Sequence, residues 1–240
     1  SGFVVPGRSA LEYLRVHQIN EEAVFVAPNA VDNDFFSAAA AAARQDAARW
    51  RRELVLPERY FLFVGRLVRE KGVFELLSAY AKLDESMRRQ VGLVFVGDGA
   101  VRAQLELQVA SVEPGLIRFA GFAQQEQLAI YYALAEMVIL PTYTDTWGLV
   151  VNEAMACGLP VVVSQIAGCA ADLVKESWNG LLVAPKDVAA LTSAMRGLAD
   201  QPDLRAKMGA NSMQHIAHYS PKEWSAGVAR MMLAAGEMRD

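Results

Sequence analysis

From Tyr60 onward, short β-rich apolar runs alternate with longer segments whose apolar positions recur at helical spacing. The runs FLFVG (61–65), LVFVG (93–97), IRFAG (117–121), MVILP (137–141), PVVV (160–163) and GLLV (180–183) predict six strands. Between them, residues 72–85, 100–111, 124–134, 148–157 and 168–176 predict amphipathic helices. Runs that are apolar throughout, with no polar alternation, suit strands buried on both faces. The fold class is therefore α/β, a doubly wound parallel sheet of about six strands. Several strands end in glycine or proline, so the chain turns at their carboxyl ends, the edge where such sheets collect ligands.

The pattern changes at both ends of this block. After Val183 it is helical, over 187–200, 203–218 and 221–237, with Pro202 and Pro221 at helix starts. Before Tyr60, an alanine-rich helix runs from Phe36 to Leu54. Ahead of it, FVVP, a helix through SALEYLRVH and then VFVAP make one strand-helix-strand unit. A single unit cannot cover both faces of its own sheet, so residues 1–29 read as the tail of another domain. The expected division is 1–29, a linker and helix over 30–59, the main domain over 60–220, and a C-terminal helix over 221–240. The apolar strands of 1–29 are expected to self-associate or to pack on the helical tail.

Composition narrows the function. A formal charge of −4, without a basic run or aromatic-basic interleaving, argues against nucleic acid, so an anion would be bound locally. Cys157 and Cys169 lack metal spacing and read as buried thiols. No apolar run approaches the roughly 20 residues that span a bilayer, which leaves room only for peripheral membrane contact. The first residues lack the pattern of a secretory signal, and the expected location is the cytoplasm.

Two segments at strand ends carry candidate chemistry. In DTWGLVVNEAMACGLPVV, which follows the strand MVILP, Asp145 and Glu153 are separated by seven residues, and the helix begins near Trp147 or Gly148. A helix start offers unpaired N–H groups and a positive dipole end, and a glycine there lets a phosphate approach the main chain. Asp145 could accept from sugar hydroxyls and Glu153 from a ribose diol; equally, Asp145 could be a helix cap and Glu153 a surface acid. In VGRLVREKG, Gly65 turns the chain while Arg66 and Lys71 present a fork-shaped guanidinium and a point charge that together suit a diphosphate. VGDG, at 96–99, supplies two glycines of a dinucleotide fingerprint, but Arg102 stands where the third would fall. Asp32, Asn33 and Asp34 could hold a divalent metal or cap a helix, and their position favours capping. His215 and His218 lack a third ligand and are given no role.

VGRLVREKG, FVGDG, DTWGLVVNEAMACGLPVV and NGLLV, in this order and spacing, resemble the carboxyl-terminal domain of retaining family 4 (group 1) glycosyltransferases of GT-B fold. The likeness extends to EYLRVHQINEEAVFVAPNAVD, which is similar to the end of the family's amino-terminal domain. It implies a Rossmann-like domain that binds a nucleotide-diphospho-sugar (a UDP-, GDP- or ADP-sugar) and a sugar transfer to the hydroxyl of a glycan, lipid or small-molecule acceptor. By the resemblance, Arg66 and Lys71 bind the diphosphate and assist the leaving group. Gly65 is placed in the donor site with them, beside Trp147, Gly148 and Leu149 at the phosphate-contacting helix start. Asp145 holds the donor sugar, Glu153 the ribose, and Phe122 lies near the base. No metal or cofactor is implied.

Two features depart from the family pattern. Asp145 replaces the usual glutamate, and IAGCAADLV carries Ala167, Gly168 and Asp172 where paired glycines and a glutamate are common. The chain is also too short for the acceptor-binding half, so the reading is a donor half inactive by itself. Its rivals are a sugar-nucleotide epimerase of the same architecture and a non-catalytic nucleotide-binding module.

Overall fold

The structure is a computed structural model that describes residues 2–110, 112 and 116–237. In chain order, β1 (Phe3–Val5), α1 (Arg8–Val16) and β2 (Val24–Val26) precede two helices, α2 (Asn33–Gln45) and α3 (Ala47–Glu53). Then follow β3 (Arg59–Val64), α4 (Val73–Ala81), α5 (Glu85–Gln90), β4 (Val91–Val96), α6 (Arg102–Val109), β5 (Ile117–Gly121) and α7 (Gln125–Leu134). The second half comprises β6 (Met137–Leu140), α8 (Leu149–Ala156), β7 (Val161–Ser164), α9 (Ala170–Leu173), β8 (Gly180–Val183), α10 (Val188–Ala199), α11 (Pro202–Ile216) and α12 (Pro221–Glu237).

The six strands β3 to β8 form one sheet in the order β5-β4-β3-β6-β7-β8, with every pair parallel. Because successive strand residues point to opposite faces, the apolar runs are divided between two cores. Tyr60, Leu62, Val64, Val138 and Leu140 pack with Phe36, Tyr132 and Met155 on one face. Phe61, Phe63, Met137 and Ile139 pack with Leu76, Tyr80, Leu105 and Met195 on the other. This double burial explains why the strands read as continuous apolar runs.

Several boundaries differ from the sequence reading. The helix expected over 36–54 breaks at Asp46, whose N–H turns back to the Ala43 carbonyl and whose own carbonyl accepts from Trp50 to start α3. The segment 72–85 ends as a helix at Ala81, and the polar ESMRRQ forms a separate short helix, α5. Of 168–176, only the single turn α9 is helical. The expected helix over 100–111 and the tail over 221–240 extend past the described residues at 111 and 238–240.

β1 and β2 pair in parallel as a separate two-stranded sheet, against which α12 packs. The Arg230 guanidinium donates to the Val26 carbonyl, and Gly227 lies so close that a Cβ there would meet that oxygen at 2.3 Å. Phe3, Val4 and Val26 remain exposed on this small unit.

Candidate functional site

The strand order reverses between β3 and β6, and a crevice opens at their carboxyl ends, the general ligand position in doubly wound sheets. Residues 65–72, after β3, form one wall. The Gly65 N–H donates to the Val96 carbonyl and the Leu67 N–H to that of Asp98, so this loop lies against residues 97–99. A Cβ on Gly97 would sit 2.0 Å from the Gly65 oxygen, which is the reason VGDG needs its first glycine. The motif is thus a close approach of two loops rather than a dinucleotide fingerprint.

Residues 141–148, after β6, form the other wall. The Tyr143 N–H and the Thr142 hydroxyl both donate to the Glu70 carbonyl, at 2.7 and 2.9 Å. Gly72 is left-handed (φ 68°), and a Cβ on it would meet the Pro141 oxygen at 2.0 Å. This docking brings together two side chains 74 positions apart: Lys71 Nζ lies 2.5 Å from Asp145 Oδ2, and both are largely buried. Asp145 Oδ1 also accepts the Trp147 N–H at 3.2 Å, so the acid turns the chain toward α8 and anchors the lysine at once.

Two cavities open along the crevice, and Arg66 lines both. One, of about 430 Å³, is polar and is lined also by Glu70, Lys71, Thr144, Asp145 and Thr146. The other, of about 310 Å³, is mostly apolar and is lined by Val64, Gly65, Val96, Phe122, Ala123 and Leu128, with Asp98 and Arg66 at its polar side. The Arg66 side chain is exposed and makes no hydrogen bond or ion pair with any described residue. Its five donors are therefore free for an anion. Phe122 is 73% exposed beside the apolar slot. A flat apolar group next to a strongly anionic one is what this pair of cavities can take.

The remaining predicted residues fall into two groups. Gly148 is left-handed at φ 100° and starts α8, while Leu149 is 44% exposed at its first turn. The Trp147 side chain, by contrast, is buried, with its indole N–H donated to Asn152 Oδ1 at 2.9 Å. What Trp147 offers a ligand is main chain only. Glu153 is not a solvated surface acid. It is half-buried, it accepts the Tyr132 hydroxyl at 2.7 Å, and burial pushes its carboxyl up from the ordinary value against the opposing effect of that hydrogen bond.

A supporting layer joins residues with no role assigned from the sequence. Asn152 is fully buried and donates to the Asn29 carbonyl, tying α8 to the linker from β2. The Gly168 and Cys169 N–H groups hold the Asp145 and Trp147 carbonyls. Asp172 Oδ2 accepts the Arg8 N–H at the start of α1, and burial raises its carboxyl. A polar residue on the buried face of VVNEAMA was the available signal for Asn152; nothing local marks Tyr132 as the partner of Glu153. Asp32 caps α2 by accepting the Phe35 N–H. His215 is half-buried, and its Nε2 contacts the Asp172 carbonyl at 2.8 Å. Both cysteines are buried free thiols, pushed up to about 12 by burial. Among the described residues no cluster of His, Cys, Asp and Glu could hold a metal ion, and no helix is long and apolar enough to cross a membrane.

Comparison with known proteins bears on this geometry. The family model of glycosyl transferases group 1 matches residues 45–215. The D-inositol 3-phosphate glycosyltransferase of Corynebacterium jeikeium is 37% identical over 213 residues, which cover 85% of this chain and 49% of that protein. The chain thus spans about half the length of the curated relatives it matches. Among solved structures, sucrose-phosphate synthase from Thermosynechococcus elongatus superposes with a TM-score of 0.79 at 29% identity, over 98% of this chain and 57% of that one. Anabaena HepE in complex with UDP-glucose superposes with a TM-score of 0.78 at 20% identity, over 98% and 64%.

Proposed function

Because the chain belongs to the group 1 glycosyl transferases, we propose that it is the donor-binding half of a retaining enzyme that passes a sugar from a nucleotide diphosphate to an acceptor hydroxyl. The observation that carries this reading is Arg66, an unpartnered guanidinium shared by an apolar slot and a charged cavity. The slot with Phe122 takes the base, and the charged cavity takes the diphosphate and the sugar. That a protein of this fold was solved with UDP-glucose is consistent with a uridine or other nucleoside diphosphate donor.

Each residue then has a physical task. The Arg66 fork pairs with phosphate oxygens in a geometry that a point charge cannot match. Lys71 gives one N–H to Asp145 and keeps two for the diphosphate, held in place by that ion pair. As the bond from the anomeric carbon to the diphosphate oxygen breaks, negative charge grows on the leaving group, and fixed cations stabilise it most at that moment. The first-turn N–H groups after Gly148 add a positive helix end. Asp145 retains lone pairs for a sugar hydroxyl, and Glu153 accepts from the ribose. The acceptor hydroxyl attacks from the face the diphosphate leaves. The acceptor site, in this reading, lies outside these 240 residues, so this chain binds donor without transferring sugar.

Isothermal titration with UDP-, GDP- and ADP-glucose tests the proposal. One of them binds at a single site, and Arg66→Ala weakens it about 10- to 100-fold, the worth of a charged hydrogen-bonded pair. Absence of binding by all three, or binding indifferent to Arg66→Ala, would overturn it.

A further inference from the structure

At the opposite, amino-terminal edge of the sheet, another cavity, of about 460 Å³, is lined by Arg44, Arg51, Arg59, Arg205, Glu58 and Glu136. Its place follows from topology: Arg59 begins β3, Glu136 immediately precedes β6, and the wall residue Pro160 immediately precedes β7. In a parallel sheet covered by helices this edge also receives the helix carboxyl ends, whose last carbonyls lack helical donors.

Those carbonyls take up part of each guanidinium. Arg44 donates to Ala133 and Cys157, at the ends of α7 and α8. Arg205 donates to Leu198 and Ala199 at the end of α10, and Arg59 also reaches Ala199. Glu136 is shared, accepting from Arg59 at 2.5 and 3.2 Å and from Arg205 at 3.1 Å. Arg51 uses only Nε, toward the Glu58 carbonyl and carboxylate. What remains is unspent: Arg44 Nη1, both Nη of Arg51, Arg59 Nη1 and Arg205 Nε carry no hydrogen bond to any described residue.

We propose that this cavity is a second anion site, for a phosphate monoester, separate from the sugar-nucleotide crevice. Four guanidiniums face two carboxylates, a formal excess of two positive charges that the helix ends offset in part. A phosphate monoester carries roughly −1.5 to −2 at neutral pH and three strong acceptor oxygens, matching both that excess and the spare donors. The volume lies within the range of about 300–1,000 Å³ that small ligands occupy. Burial lowers the affinity of Arg205 for its proton; Glu136 opposes this, and the neighbouring Arg59 adds to it.

The test removes the crevice cations first. In the Arg66→Ala/Lys71→Ala chain, inorganic phosphate and glycerol 1-phosphate are titrated by calorimetry and by thermal unfolding, against chloride at equal ionic strength. Saturable binding and a Tm that climbs with phosphate but not chloride are expected. Arg51→Gln, which removes only contacts to Glu58, weakens binding about tenfold. Glu58→Gln, at a side chain 82% exposed and so without risk to folding, tightens it about threefold. No phosphate-specific effect over chloride, or affinities unchanged in both Arg51→Gln and Glu58→Gln, overturns the proposal. Neither result bears on sugar-nucleotide binding by the unaltered chain.

Discussion

At the carboxyl ends of the strands Arg66 stands exposed with no partner, and Lys71 gives one N–H to Asp145. At the amino ends Arg44, Arg59 and Arg205 each give two or more donors to carbonyls or to Glu136. At the first edge Arg69 and Arg102 bond neighbouring side chains and Arg66 is left free, whereas at the second the guanidiniums are drawn largely to helix-end carbonyls, a difference that follows helix polarity. Parallel β-α units turn helix amino ends toward the first edge and carboxyl ends toward the second. Carbonyls at the second edge recruit guanidiniums; N–H groups at the first cannot, and Arg66, whose guanidinium bonds no carboxylate or amide, is left for an incoming anion.

That contrast can be broken in order of expected effect. Arg66→Ala should leave Tm unchanged while weakening the donor about 10- to 100-fold, measured by calorimetry beside thermal melts. A large fall in Tm would mean that Arg66 is structural like its counterparts below. Gly72→Ala adds a Cβ 2.0 Å from the Pro141 oxygen at a left-handed φ. It should cost about 3 kcal/mol in denaturant unfolding and separate Lys71 from Asp145. Glu136→Ala leaves Arg59 and Arg205 sharing no anion. It should cost about 2 kcal/mol, or roughly 5 °C in Tm, and phosphate should restore part of it.

The smallest effect is at Glu153, where the sign is instructive. Burial raises the folded carboxyl above its ordinary value of 4.5, so the folded state holds that proton more tightly than the unfolded chain. Its contribution is complete below that value and is lost as pH rises through the folded value. Glu153→Gln should therefore stabilise the chain modestly at neutral pH, with the gain vanishing toward pH 4.5, while weakening donor binding. Melts across that range measure it; a loss of stability at neutral pH would refute the assignment.

The fold was legible because double burial writes itself as unbroken apolar runs, and all six strands of the main sheet lie where those runs are. Small polar pieces were not: α5 is the six residues ESMRRQ, and the break at Asp46 is made by main-chain bonds alone, with no side-chain cap to mark it. For the candidate site, residue types at strand ends pointed to Arg66, Lys71, Asp145 and Glu153. Their partners were hidden, because Lys71 meets Asp145, and Glu153 meets Tyr132, only through contacts between elements distant in sequence. Trp147 reads like a ligand contact beside a glycine, yet packing outweighs that position and its indole goes to the core.

The nested loops around Gly65, Gly72 and Gly97 have a consequence for how such a chain can vary. Each of these backbones nearly touches a carbonyl or main chain of another loop, so a saturation library should return glycine alone at 72 and 97 whichever sugar nucleotide is selected for. Diversification of the donor would then fall to the rim on either side of the fixed Asp145, namely Phe122, Thr144 and Thr146, leaving the scaffold of the crevice invariant.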